Sequence, residues 1–552
     1  MKLLEIEGLV TELSDGEKWF AAVDAVSLDI RRGETYCLVG ESGSGKSVTA
    51  LSVMGLLPPG RYRHPAGRIG LYDEAGQRQE LLGADEGVLA RVRGGRIAMI
   101  FQEPMTSLNP VLTIGAQLDE AVALHRPELD AAERRARIVQ ALEEVQLPDA
   151  AGRLREYPHR LSGGQRQRVM IAMALVCEPD LLIADEPTTA LDVTVQAETL
   201  KLMRDLQERR GMGMLFITHD FGVVARIADH VGVMRSGRLV ESGTVSQVLR
   251  APTHEYTRSL IAALPERLER TRRPRVAEAG APLVEMSGLK VHFPVRRGLL
   301  RRVVDHVRAV DDVSLDVRAG EVLALVGESG CGKTTLGRAL LRLIEPTAGS
   351  IRLEGRDITR LPRAAMQPLR RAMQVVFQDP GSSLNPRLPV LTTLIEPMRV
   401  HGMGANDEER RARAVALLER VEMPADSVWR YPHEFSGGQR QRLAIARALV
   451  LEPRFIVCDE ITSALDVSVQ AGILQLLRRL VDEEGLGMLF ITHNMGVVEF
   501  LADRMAVMHA GKVVESGPVA RVLAAPEDDY TRRLLAAVPR LDSSPLRAEL
   551  QT

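Results

Sequence analysis

Glycines set around a lysine are the residues of this chain that most plainly could do chemistry. In Gly40-Glu41-Ser42-Gly43-Ser44-Gly45-Lys46-Ser47 the glycines let the backbone curl so that its N–H groups point inward at a phosphate, backed by the positive end of a following helix. Lys46 then meets β- and γ-phosphate oxygens, and the Ser47 hydroxyl is placed for Mg²⁺. The loop returns as Gly327-Glu328-Ser329-Gly330-Cys331-Gly332-Lys333-Thr334, with Thr334 in the place of the serine. Each copy is followed, in the same order, by Ser-Gly-Gly-Gln, by an Asp-Glu pair closing an apolar run, and by Thr-His. Adjacent carboxylates at a strand end are costly to bury unless a cation or substrate engages them. Asp185 and Asp459 are therefore expected to hold Mg²⁺ through its water shell, and Glu186 and Glu460 to orient and deprotonate an attacking water. His219 and His493, in register after a buried run in both copies, are expected at the γ-phosphate.

These residues need strands and helices to hold them. Tyr36 to Val39, Val322 to Val326, Leu181 to Ala184, Phe455 to Cys458 and the identical Gly-Met-Leu-Phe-Ile-Thr-His at 213–219 and 487–493 have the composition of buried parallel strands. Helical patterns lie between them. Ala131 to Val145, for example, gathers Ile138, Leu142 and Val145 on one face. Alternating strands and helices define an α/β class. Ala22 to Glu34 matches Ala309 to Glu321 at an offset of 287, and Leu161 to Arg168 matches Phe435 to Arg442 at 274, so the first copy carries a longer stretch around Gly60 to Gly95. A repeat this long is a whole domain of roughly 260 residues rather than a solenoid unit. The expected organisation is a first domain at 1–265, a charged aperiodic linker at 266–281, a second domain at 282–539 and a tail at 540–552.

Composition removes several classes. Of 552 residues, 45% are hydrophobic and 26% charged, and 71 Lys plus Arg nearly balance 73 Asp plus Glu, which leaves no field to gather nucleic acid or acidic lipid. No signal peptide, lipid-anchor motif or run of ~18 apolar residues is evident. Cys37, Cys177, Cys331 and Cys458 have no metal-like spacing and are expected to be reduced, inert thiols.

With these motifs in both halves, the chain resembles the ATP-binding-cassette ATPases over nearly its whole length. Leu161-Ser162-Gly163-Gly164-Gln165 and Phe435-Ser436-Gly437-Gly438-Gln439 look like the family signature, whose serine and backbone N–H groups bind the γ-phosphate of ATP held by the opposite domain. Gln102 and Gln378 match its Q-loop, which reaches Mg²⁺ and nucleotide; Asp192 and Asp466 match its D-loop, and His219 and His493 its switch histidine. The resemblance implies two tandem P-loop domains, each with a mixed or parallel sheet and an inserted helical subdomain (about 103–160 and 379–434), arranged head to tail. Lys46 would then face Ser436, and Lys333 would face Ser162. Phe293 takes the place of the adenine-stacking aromatic in the second half, whereas the first half has Leu13 there, with Trp19 and Phe20 as substitutes. Ile461 stands where the first copy has Pro187, a change expected at the turn after the acid.

A narrower similarity is to the ATPase pair of dipeptide and oligopeptide importers, fused in one polypeptide. It rests on Phe101 to Pro110 and Phe377 to Pro386, on the Tyr-Pro-His at 157–159 and 431–433, on the tails His254 to Pro265 and Asp528 to Pro539, and on the segment Phe293 to Leu300 with His306 to Val310. Many first ATPases of that group carry an iron–sulfur segment after the first tail; this chain has no cysteine between Cys177 and Cys331, and no cluster is expected. The resemblance implies ATP and Mg²⁺ as cofactors, two membrane permeases as partners, an extracytoplasmic solute-binding protein acting indirectly, and a peripheral place on the cytoplasmic face of the membrane. It implies neither a nucleic-acid partner nor a direct lipid anchor. The alternative is a soluble tandem cassette like certain translation factors, but those join their cassettes by a long helical linker, and 266–281 has no helical period. Peptide, glutathione, nickel and peptide antibiotic all stand as cargo, because selection in this architecture belongs to other subunits.

Overall fold

The computed structural model describes residues 1–101, 107–188, 191–269, 281–297, 302–463 and 465–541. Gln102, most of the expected linker and all but the start of the expected tail lie outside the described residues. The chain forms two compact units, 1–261 with 539–552, and 262–538.

The first unit is built on two sheets. β1 (Lys2–Ser14), β2 (Trp19–Arg31), β4 (Tyr62–Tyr72) and β5 (Arg78–Glu80) make a four-stranded antiparallel sheet in the order β2-β1-β4-β5. The other sheet has six strands in the order β10-β9-β3-β8-β7-β6: β3 (Thr35–Val39), β6 (Ile97–Ile100), β7 (Leu181–Asp185), β8 (Gly213–Thr218) and β9 (His230–Arg235) are parallel, and β10 (Arg238–Thr244) closes the edge antiparallel to β9. Every residue of β3, β7 and β8 is buried, as their uninterrupted apolar runs require of strands covered on both faces.

Between the sheets lies one apolar cluster. Leu4, Ile6, Val26 and Ile69 come from the antiparallel sheet, Leu38, Ile183 and Leu215 from the parallel one, and Ala50, Val53 and Met54 from the helix Lys46–Met54. The helix behind the glycine loop is thus held on both sides, each fully buried aliphatic side chain contributing about 1.5–3 kcal/mol. Its anchoring fixes where the loop must sit.

The second unit repeats the plan. β11 (Val284–Arg297), β12 (Arg302–Val317), β14 (Ala348–Leu353) and β15 (Arg356–Asp357) form the antiparallel sheet β12-β11-β14-β15. β13 (Val322–Val326), β16 (Met373–Val376), β17 (Phe455–Asp459), β18 (Gly487–Ile491), β19 (Arg504–His509) and β20 (Lys512–Pro518) form the other, in the order β16-β17-β18-β13-β19-β20. Leu336, Ala339 and Leu340 of the helix Lys333–Leu340 pack into the cluster between them.

A helical layer is inserted after β6 and after β16. The helix expected from Ala131 runs Ala131–Glu144, starts with a capping box between Asp130 and Glu133, and buries Ile138 and Leu142 with Val145 at its end. Part of the extra length of the first half appears as a longer β4, 11 residues against 6 in β14, whereas the helix Glu86–Val92 has a counterpart of equal length in Arg363–Leu369.

Candidate active site

The helices Lys46–Met54 and Lys333–Leu340 begin at Gly45 and Gly332 with φ of 102° and 108° and no side-chain cap. A Cβ at either position would strike the carbonyl oxygen of Ala22 or Ala309, so only glycine fits. A glycine at the cap also leaves the first-turn N–H groups without an internal side-chain acceptor, which is what an anion-binding helix start needs. Lys46 is 6% exposed and donates from Nζ to the carbonyls of Gly40 and Glu41, both at 2.8 Å. Lys333 repeats this with Gly327 at 2.7 Å and Glu328 at 2.8 Å. Each ammonium is therefore held within its loop by neutral carbonyl acceptors that a phosphate can replace.

The hydroxyl after each lysine meets the first acid of the pair. Ser47 Oγ donates to Asp185 Oδ1 at 3.1 Å, and Thr334 Oγ1 to Asp459 Oδ1 at 3.1 Å. Burial pushes both carboxyls above their ordinary value although the hydroxyls oppose it. Two hard oxygens side by side, one of them a desolvated carboxylate, suit Mg²⁺, which accepts few protein ligands and completes its shell with water and phosphate oxygens. No group of three or more His, Cys, Asp and Glu side chains able to hold a metal occurs among the described residues.

The second acids hold a strained backbone. Glu186 and Glu460 have φ of 47° and 48°, left-handed values that cost a non-glycine residue roughly 1–2 kcal/mol. Their N–H groups donate to Ile217 and Ile491 at 2.9 and 3.0 Å, locking the peptide at the strand end. Pro187 or Ile461 follows with no change in this geometry, so the substitution does not move the acid. Glu186 Oε1 lies 3.2 Å from His219 Nδ1, and Glu460 Oε1 lies 3.7 Å from His493 Nδ1. Burial works against a charge on His219, yet the Glu186 carboxylate prevails and raises its pKa. His493 holds the Glu460 carboxyl below its usual range against the opposing push of burial. Gln378 joins this cluster, donating from Nε2 to Glu460 Oε2 at 2.9 Å; its counterpart Gln102 lies outside the described residues. Arg338 and Arg447, which no sequence signal singles out, line a cavity of about 480 Å³ with Gln378 and Asp459.

Ser162 and Ser436 cap the helices Gly163–Leu175 and Gly437–Leu449, each in a capping box with Gln165 or Gln439. Both serines and the first glycine after each, Gly163 and Gly437, are exposed, whereas Gly438 is buried. The two glycines of each pair differ: a Cβ on Gly164 or Gly438 would crowd Val195 or Val469, whereas one on Gly163 or Gly437 would meet open space. The second glycine of each pair therefore answers to packing within its unit. Asp192 caps the helix Val193–Arg210 through Val195 N–H at 3.1 Å, and Asp466 precedes the matching helix Val467–Glu484 without a side-chain cap.

Phe293 is 42% exposed on β11, opposite Val307. In the first unit Leu13 pairs with Phe20, which is 52% exposed, while the Trp19 ring lies under the Arg63 guanidinium at 4.6 Å. Phe20 is the freer aromatic. All four cysteines are buried and unpaired, and burial pushes the Cys37 and Cys458 thiols upward.

Duplicated phosphate loops, each with a hydroxyl–aspartate pair and a glutamate–histidine pair on a parallel sheet, define a tandem nucleotide-hydrolysing fold. The family model for ABC transporter matches residues 23–189 and 310–463, and that for the C-terminal region of oligopeptide/dipeptide transporters matches 240–291 and 514–551. The chain belongs to the ABC transporter family and is an ATPase. It is 51% identical over 551 residues to the "Peptidoglycan transport ATP-binding protein YejF" of Agrobacterium fabrum, covering 100% of this chain and 98% of that one. It is 48% identical to "Glutathione import ATP-binding protein GsiA" both of Salmonella choleraesuis, with 98% of this chain and 90% of the relative covered, and of Escherichia coli, with 99% and 91% covered.

Proposed function

We propose that this chain is the motor of an importer for peptides or peptide-like solutes, in which two ATP sites drive separate membrane permeases. The observation that supports it most is the occurrence in both units of the same set: buried lysine, hydroxyl–aspartate pair, strained glutamate and adjacent histidine. Names of relatives that span almost the whole chain supply the import of peptide-like solutes. Among the described residues no helix is long and apolar enough to cross a membrane, which agrees with crossing by other subunits. The protein works peripherally at the cytoplasmic face, and a solute-binding protein outside delivers cargo to the permeases.

At each site Lys46 or Lys333 leaves its loop carbonyls for the β- and γ-phosphates, helped by the loop N–H groups from Gly40, Ser42, Gly43, Ser44 and Gly45 or from Gly327, Ser329, Gly330, Cys331 and Gly332. Ser47 with Asp185, and Thr334 with Asp459, would hold Mg²⁺ together with Gln102 and Gln378, and the ion when bound would supply positive charge to the phosphates. Glu186 and Glu460 accept a proton from the water whose oxygen attacks the γ-phosphorus as the β–γ bridging bond breaks, leaving ADP and phosphate. His219 and His493 orient that carboxylate and donate to the γ-phosphate. Phe293 and Phe20 stack on adenine. Ser162 with Gly163, Gly164 and Gln165, and Ser436 with Gly437, Gly438 and Gln439, offer their hydroxyls and N–H groups to a γ-phosphate. The proposed domains are 1–265 and 282–539, joined by the linker 266–281.

Reconstitution tests this reading. The chain should be recruited to proteoliposomes only when two cognate permeases are present, and its ATP turnover should rise several-fold with a peptide-loaded binding protein. Recruitment independent of permeases, or co-purification with ribosomes instead, would support a soluble factor.

A further inference from the structure

The tails His254 to Pro265 and Asp528 to Pro539 match each other, yet nothing in the ATPase cycle above uses them. In each unit the tail helix carries one buried tyrosine, Tyr256 on Glu255–Ala262 and Tyr530 on Asp529–Ala537, both 7% exposed. Both rings end at the same place, the second residue of the phosphate loop. Glu328 N–H donates to the Tyr530 hydroxyl at 3.0 Å. The Tyr256 hydroxyl donates to Glu41 Oε2 at 3.0 Å, and the backbone of Glu41 also hydrogen-bonds to it. Behind each ring stands the residue after a loop-contacting methionine. Arg235 lies over the Tyr256 ring at 4.7 Å, and His509 packs on Tyr530 with centroids 4.0 Å apart.

The peptide that each tyrosine grips is the one that holds the lysine. Lys46 Nζ takes its acceptors from the carbonyls of Gly40 and Glu41, and Lys333 Nζ from those of Gly327 and Glu328. The Gly40–Glu41 peptide joins the Gly40 carbonyl to the Glu41 N–H, so a partner fixed on the N–H fixes the direction of the carbonyl, because the peptide is planar. On its other side, a Cβ at Gly40 or Gly327 would strike the carbonyl oxygen of Met234 or Met508, so β9 or β19 closes the remaining space. A rigid ring with one hydroxyl is suited to this task, since little side-chain freedom is lost in holding it.

We propose that Tyr256 and Tyr530 are positioning residues for ATP: each fixes the first peptide of its phosphate loop and thereby sets the lysine that meets the phosphates. The inference rests on the reading of the two loops as ATP sites. It gives the C-terminal helix a direct role in nucleotide affinity at its own site.

The test uses the full chain with Tyr256→Phe and Tyr530→Phe, singly and together, and measures binding of a fluorescent ATP analogue, ATPase kinetics and amide hydrogen exchange. Loss of one hydrogen bond to the loop should weaken ATP about fivefold at the affected site. KM should rise while kcat stays within about twofold, because the water-activating glutamate is untouched. Loop peptides should exchange faster, whereas a merely structural tyrosine would leave KM and loop exchange as in the wild type. Unchanged affinity and exchange in both variants, or a fall in kcat at constant KM, would overturn the proposal. In the unmodified protein the Glu328 amide must be protected; free exchange there overturns it without any variant. If Lys46→Ala with Lys333→Ala binds the analogue as well as wild type does, the fault lies in the reading of the loops and not in the tyrosines.

Discussion

Glu186 and Glu460 carry backbone strain that no neighbouring residue relieves by sequence alone. A left-handed φ at a glutamate, present twice at one position of the fold, is retained because it aims the carboxylate away from the strand and beside a histidine. The Asp-Glu pair and the histidine were legible as residue types, and their convergence follows from strand order, since β7 lies next to β8 and β17 next to β18. The strain was not legible, because φ is set by the turn and not by glutamate. A pH dependence follows. With Glu186 beside it, His219 has a pKa above its ordinary 6.5, so the interaction contributes stability fully below that value and loses it as pH rises through the folded pKa. Chemical denaturation of wild type and Glu186→Gln should therefore differ most near pH 6 and least near pH 9. A gap that widens toward alkaline pH would contradict the pairing.

At the scale of elements, two kinds of helix start do different work. Lys46–Met54 and Lys333–Leu340 begin at uncapped glycines, whereas Gly163–Leu175 and Gly437–Leu449 begin at serines that cap themselves and still face outward. The glycine loop marks the first kind of start in the sequence, whereas Ser-Gly-Gly-Gln shows its capping role only in the structure. What spacing did not reveal is the unequal use of the paired glycines, which depends on Val195 and Val469 from another helix. Nor did it reveal the contact of Tyr256 with Glu41, separated by 215 positions in the chain. Because the exposed start is the part proposed to bind a γ-phosphate, Ser162→Arg should abolish nucleotide trapping at one of the two loops and leave it at the other. Photo-crosslinking of nucleotide to each loop separates the two outcomes, and trapping unchanged at both loops would refute the role of Ser162.

At the scale of the whole molecule, the duplicated motifs made two similar units readable, and two sheets with a helical insertion are found in each. The grouping of chain ends was not readable. Residues 262–269 belong with the second unit and 539–541 with the first, because the core that a segment packs on is decided by surfaces far away in sequence. Leu268, for instance, packs against the large cluster of the second unit with Met495 and Val498. The central claim is that both units hydrolyse ATP, and turnover by Glu186→Gln, Glu460→Gln and the double variant tests it most directly. Removing the proton acceptor should leave ATP binding intact, lower turnover strongly in each single variant, and reduce it by about a hundredfold or more in the double. Near-wild-type turnover in either single variant, with ATP still bound, would contradict the account by showing that unit to be inactive.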